Sequence, residues 1–126
     1  MPAARSADLT RVIAAERARL EATDVPASNT DAATVTFDLS ASNYHQVTIA
    51  GNRTFAVTGA RVGQEFKVEV KQDATGSRTV TWWAGLSWPA ATAPTLTTTA
   101  NKVDIFEFVC TAANVYRGRT FGLNYT

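Results

Sequence analysis

The chain has 126 residues, of which 45% are hydrophobic, 10% aromatic and 18% charged, and its formal net charge is +1. That length fits one domain with a short appendage and excludes a cofactor domain joined to a substrate domain. The apolar fraction excludes a disordered chain, and the near-neutral charge leaves no electrostatic footprint for nucleic acid or an anionic lipid surface.

The first thirty residues differ in kind from the rest. Ser6 or Asp8 can cap a helix, and Leu9, Val12, Ile13 and Leu20 follow at helical spacing, interrupted by Glu16. Ala14, Ala15 and Ala18 favour the helix, while Arg11, Arg17 and Arg19 lie off the stripe. Pro26 stops it, because the residue before proline avoids helical dihedrals. The pattern predicts a helix over about residues 7–22 and a polar linker from Ala27 to Ala33. The stripe either packs on its own chain or associates with copies of itself, and the expectation is an attachment or oligomerisation element. No apolar leader segment begins the chain and no run approaches the ~20 apolar residues of a membrane helix, so the expectation is synthesis in the cytoplasm without membrane insertion.

From Thr34 onward the period is two. Thr34–Leu39, His45–Ile49 and Glu65–Lys71 alternate polar and apolar residues, as strands with one buried face do. Further strands are predicted at Arg53–Val57, Arg78–Trp83, Lys102–Thr111 and Val115–Leu123. Gly51-Asn52 reads as a tight hairpin and Asp73–Ser77 as a longer one with a glycine at positive φ. Pro89–Ala100 reads as a long surface connection with a short edge strand at Thr95–Thr98. Short strands with regular turns predict a mainly β protein: a single antiparallel, jelly-roll-like β-sandwich (residues 31–126) preceded by a short N-terminal α-helix and linker (residues 1–30).

The catalytic inventory is thin. Cys110 is the single cysteine and His45 the single histidine, so neither a disulfide nor a structural zinc site can be assembled from this chain. No phosphate-binding glycine loop or nucleophile elbow is present, and no cofactor, metal or catalytic residue is expected. His45 would be the only base for a small hydrolase, with no visible partner. Cys110 reads as a small buried thiol. Glu65, Glu69, Asp73, Asp104 and Glu107 read as solvated carboxylates, Glu107 pairing with an arginine across a strand or a subunit boundary. Trp82, Trp83 and Trp88 cluster around one loop. With Tyr44 they are candidates for a glycan-stacking platform; alternatively they pack in the core or at a subunit interface. Neighbouring strand residues point to opposite faces, so Trp82 and Trp83 should not share one core.

Val35–Ser40, Asn43–Ile49, Gly51–Val57, Val62–Phe66, Gln72–Trp82 and Ala93–Phe108 carry a resemblance. With these motifs the stretch from Thr34 to Tyr125 resembles a β-domain of tailed-bacteriophage and prophage virion proteins, found in tail fibres, tail spikes and small head- or tail-associated proteins. The resemblance implies a non-enzymatic, often trimeric structural domain, and it transfers no catalytic residue. The expected role is therefore a virion component: a capsid cement or decoration protein on the major capsid protein, or a tail-fibre or attachment protein on tail and baseplate proteins. The alternative is a carbohydrate-binding module for host surface glycans.

Overall fold

The computed structural model describes residues 9–14 and 23–126. Residues 9–14 are helical, inside the predicted helix, and the remainder of that prediction, Leu20 included, lies outside the described residues. Nine strands follow in chain order: β1 (Ala27–Ser28), β2 (Thr34–Asp38), β3 (Tyr44–Ile49), β4 (Arg53–Thr58), β5 (Glu65–Gln72), β6 (Val80–Thr81), β7 (Leu86–Ser87), β8 (Val103–Ala112) and β9 (Val115–Tyr125). The mainly β class and the two-layer, sandwich-like arrangement are as expected from the alternation.

The wiring differs from the antiparallel, jelly-roll-like expectation. One sheet has the order β1-β3-β5-β8-β9-β7 and the other β2-β4-β6. Odd strands up to β5 therefore stack in one sheet and even strands in the other, all in parallel. Each pair of strands forms one turn of a flattened coil, and His45 of the second turn sits between Ala27 of the first and Val68 of the third. Only β5–β8 and β8–β9 are antiparallel, and β8–β9 is the one hairpin among the described strands. A parallel neighbour normally implies helices over both sheet faces. Here the return segment of each turn is itself a strand, so one face stays wet and the polar/apolar alternation looks antiparallel.

The two predicted hairpins are arcs for the same reason. Residues 50–52 carry the chain from β3 to β4 and residues 73–79 from β5 to β6, in each case into the opposite sheet. Asn52 shows the consequence: its Oδ1 accepts from the main-chain N–H of Thr79 in the next turn, 3.0 Å away. Asp31 clamps the first arc to the second through Arg53, with Nε and Nη2 donating at 2.7 and 2.8 Å. In the third arc Asp73 accepts from the N–H groups of Thr75 and Gly76 and pairs with Arg78. Gly76 there has φ +72°, and a Cβ would lie 2.6 Å from the Thr98 carbonyl oxygen.

The core fills the space between the sheets. Val47, Ile49, Phe66, Val68, Val70, Phe106, Phe108 and Cys110 of the large sheet pack with Val35, Phe37 and Phe55 of the small one and with Leu39 just after β2. Other segments also depart from expectation. The linker begins with β1, whose residues pair with β3. Residues 78–83 contain only the two-residue β6, Thr95–Thr98 is not a strand, and β7 is an unpredicted pair of residues beside β9.

Two buried glutamines hold the arcs against β5. Gln64 Nε2 donates to the Leu39 carbonyl (2.7 Å) and to Asn43 Oδ1 (2.8 Å), and its Oε1 accepts from the Arg61 N–H (3.0 Å). At the other end Gln72 Nε2 donates to the carbonyls of Arg78 and Thr97, and its Oε1 accepts from the Arg78 N–H, each at 3.0 Å. Replacing such an amide by an apolar isostere strands several buried main-chain groups. Gln72→Leu is expected to lower unfolding stability by about 2–4 kcal/mol in urea titrations, whereas Lys71→Ala next to it on the wet face stays within about 0.5 kcal/mol.

Candidate functional site

The sequence-flagged aromatics separate into two places. Trp82, Trp83 and Trp88 come together against the core, Trp83 buried and the other two half-buried. The chain leaves strand geometry after Thr81, so the alternation rule no longer separates Trp82 from Trp83, and their rings meet at 5.7 Å. Trp82 is the hub, with centroids 5.5 Å from Phe55, 5.3 Å from Trp88, 5.0 Å from Phe106 and 5.7 Å from Phe108. Trp83 is buried and packs on Phe108 at 4.8 Å and Phe66 at 6.1 Å. Gly118 lets this cluster reach β9, since a Cβ there would stand 2.9 Å from ring atoms of both Phe108 and Trp88. Tyr44 lies on the opposite, outer face of the large sheet, where its hydroxyl donates to Glu69 (2.7 Å). Burial and that carboxylate push its pKa up to about 12.

His45 is enclosed rather than poised. It is 1% exposed, edge-on to Phe37 at 5.4 Å. The Ser42 carbonyl 3.0 Å from Nε2 can only accept, so Nε2 carries the proton and Nδ1 is the acceptor, 3.1 Å from Asn29 Nδ2. Asn29 Nδ2 also lies 3.1 Å from the carbonyls of Ala27 and Gln46, so its two hydrogens are shared among three acceptors. Both ring nitrogens are occupied in the neutral tautomer. Cys110 is likewise buried.

The carboxylates are mostly employed. Asp104, on the inner side of β8, accepts from the main-chain N–H groups of Thr97 (2.6 Å) and Asn124 (2.9 Å) and ties the long connection and the end of β9 to the core. Glu107 pairs with an arginine across the strand boundary, as the sequence suggested: Arg119 at 2.6 Å, with Lys67 at 3.6 Å on its other side. The outer face of the large sheet collects the groups that are not used inside. One row across β5, β8 and β9 is Glu65, Val109, Arg117; the next is Lys67, Glu107, Arg119. Phe121, Leu123 and Tyr125 are exposed along β9, and Lys67 Nζ stands 5.3 Å over the Phe121 ring. Sequence reasoning passed over this face. The alternation marked these side chains as exposed, but which strands lie side by side is not written in the periodicity.

On the helical residues Leu9, Val12 and Ile13 are 61%, 63% and 51% exposed, so three apolar positions of the predicted stripe have water as their neighbour within a single chain.

Two packed β layers enclose the histidine and leave a broad outer face that carries both charged and apolar side chains. The chain belongs to the family described as "Putative phage tail fibre C-terminal domain", whose model matches residues 28–114, more than two thirds of the sequence. It is thus a phage tail-fibre-type domain, the class of virion structural and attachment components. No curated protein and no solved structure matches the chain. The matched segment runs from β1 to the turn before β9, so β9 and the N-terminal helix lie outside it.

Burial holds the His45 pKa below its ordinary 6.5, outweighing its bond to the Ser42 carbonyl and the nearby Asp38. The native state then binds fewer protons than the unfolded chain, so its stability rises with pH through this range. Stability is expected to be level above about pH 7 and to fall as the pH drops below about 6.5. Urea midpoints measured from pH 8 to 5 check this, and His45→Gln should flatten the curve in that window. A second decline, from Asp31, Asp38 and Asp73, whose pKa values are lowered by their hydrogen bonds to Arg53, Ser40 and Arg78, should appear only below about pH 4.

Proposed function

We propose that this chain is a non-enzymatic tail component that works by adhesion. In this reading several copies, arranged as a homotrimer, are joined to other tail or baseplate proteins at one end and present the β-domain at the other. The family match over residues 28–114 carries the reading, because it points to the tail fibre rather than to a capsid decoration or cement role on the major capsid protein. Two features of the molecule support it. The one histidine has both ring nitrogens engaged in packing the domain together, so it is not free to act as a base. The N-terminal residues 9–14 leave Leu9, Val12 and Ile13 exposed, which suits association between helices of neighbouring copies or docking to a tail protein. Synthesis is in the host cytoplasm and the working location is the virion. Weak contacts repeated by three or more copies add through effective concentration, so single-site affinity can be low.

Light scattering on the full chain is expected to give three times the 13.5 kDa chain mass. Val12→Glu with Ile13→Glu should reduce it to one chain mass while the far-ultraviolet β signal stays unchanged. An excess of the wild-type full chain should slow adsorption of the phage that encodes it, and the double variant should compete at least ten-fold less well. A single-chain mass for the wild type, together with no effect on adsorption, would contradict the proposal.

A further inference from the structure

We propose that residues 24–29 form a strap that acid releases: protonation of His45 drives Asn29 and β1 off β3 while the rest of the large sheet stays closed. This goes beyond the adhesion reading and does not depend on it. Apolar burial does little to hold the strap. None of its side chains is buried; Ala27 and Asn29 are half-buried, and Asp24, Val25, Pro26 and Ser28 are exposed. A segment of that kind opens at a lower free energy than the core beneath it. Its attachments are hydrogen bonds, and they converge on one group. The Asn29 N–H donates to the Gln46 carbonyl at 2.8 Å, and Ser42 Oγ donates to the Val25 carbonyl at 2.6 Å. His45 joins the two: its Nε2–H is bonded to the carbonyl of the same Ser42, and its Nδ1 faces Asn29 Nδ2.

This arrangement suits the neutral ring alone. A second proton on His45 falls on Nδ1 and turns it from acceptor to donor. It then meets the Asn29 amide nitrogen, which is also a donor. Turning the amide end for end offers the ring an oxygen. That oxygen would stand in the place of Nδ2, which is 3.1 Å from the carbonyl oxygens of both Ala27 and Gln46. No orientation of Asn29 therefore satisfies the charged ring and the two carbonyls together. The other neighbours do not help. Phe37 of β2 lies edge-on to the ring, and Ala27 of β1 and Val68 of β5 flank His45 in the ladder; none of them titrates. Asp38, the last residue of β2, is the one charged side chain acting on the ring among the described residues. Its Oδ1 is already bonded to the N–H and the hydroxyl of Ser40, at 3.0 and 2.6 Å. On its other side β3 is paired with β5 along its whole length, so water reaches the imidazolium where the strap lifts.

The closed strap thus holds His45 neutral, and the open strap lets it titrate at its ordinary pKa of about 6.5. Burial in the closed state lowers the pKa, which is the direction this coupling requires. Opening is level above about pH 7 and becomes easier by up to about ten-fold for each pH unit below about 6.5. The strap lies in the chain between residues 9–14, with their exposed apolar side chains, and the two-layer body, so its release loosens the link between them.

Hydrogen exchange on the full chain, followed by NMR from pH 7.5 to 5.5 and corrected for the intrinsic rates, tests this. The Asn29 amide reports the strap. The Gln72 amide, bonded to the Lys102 carbonyl at the far end of β5, reports the body. Asn29 is expected to be protected at least about ten-fold less than Gln72 at pH 7.5, and to lose a further factor of about five or more by pH 5.5. Asn29→Ala should lower protection at position 29 already at pH 7.5 and flatten its pH dependence. The same variant should bring the His45 pKa, read from its ring-proton shifts, up toward 6.5. Equal protection of Asn29 and Gln72 at pH 7.5 overturns the proposal, because the strap then opens only when the domain unfolds. Weaker but level protection of Asn29 also overturns it, because His45 then stays sealed when the strap lifts. A pH step in Asn29→Ala as large as that of the wild type would contradict it too, since the Asn29 amide would not be what couples ring to strap.

Discussion

Each strand of the first three turns hands the chain to the opposite sheet, and everything else in the molecule follows from that. A hairpin satisfies its own turn by cross-strand hydrogen bonds. An arc between sheets cannot, so its main-chain groups must find partners in the neighbouring turn or in side chains reaching from the core. Gln64, Gln72, Asn52 and Asp31–Arg53 are those partners. They lock each turn to the next, and the stacked turns in register let Phe37, Phe55, Phe66 and Phe106 bury in one core. Without these polar contacts the aromatic core would have apolar surface enough but no fixed turn to present it.

The antiparallel end completes the body. β8 and β9 extend the large sheet past β5, and the tryptophan cluster fills the space that the short β6 leaves beside Phe55, Phe106 and Phe108. Asp104 then fixes the long connection and the last residues of β9 to the same core. The inner faces are committed to stability in this way. The large sheet's outer face and the apolar side chains of residues 9–14 stay exposed, and it is through Leu9, Val12 and Ile13 that we propose the molecule meets its copies or other tail proteins.

The strands themselves were legible in the sequence, because burial of one face imposes a period of two wherever it occurs. Thr34–Leu39, His45–Ile49, Glu65–Lys71 and Lys102–Thr111 all fall on observed strands to within a residue or two. Strand partnership was not legible. The same alternation serves a strand bonded to its sequence neighbour and a strand facing it across the core, and Gly51-Asn52 suits a hairpin or an arc equally. The three tryptophans were correctly grouped by proximity, yet their roles depended on where β6 stops, which a propensity cannot fix. The Glu65–Val109–Arg117 row joins residues more than forty positions apart and appears only once β5, β8 and β9 are placed side by side. The family resemblance, carried by the turn and strand motifs, agrees with the match to the tail fibre domain over residues 28–114.

The account stands or falls on where the chain sits in the particle. Purified virions can be separated into heads and tails and the chain quantified by mass spectrometry in each fraction. The expected result is recovery with the tails, in a copy number that is a multiple of three per particle. Recovery with the heads, in proportion to the major capsid protein, would contradict it.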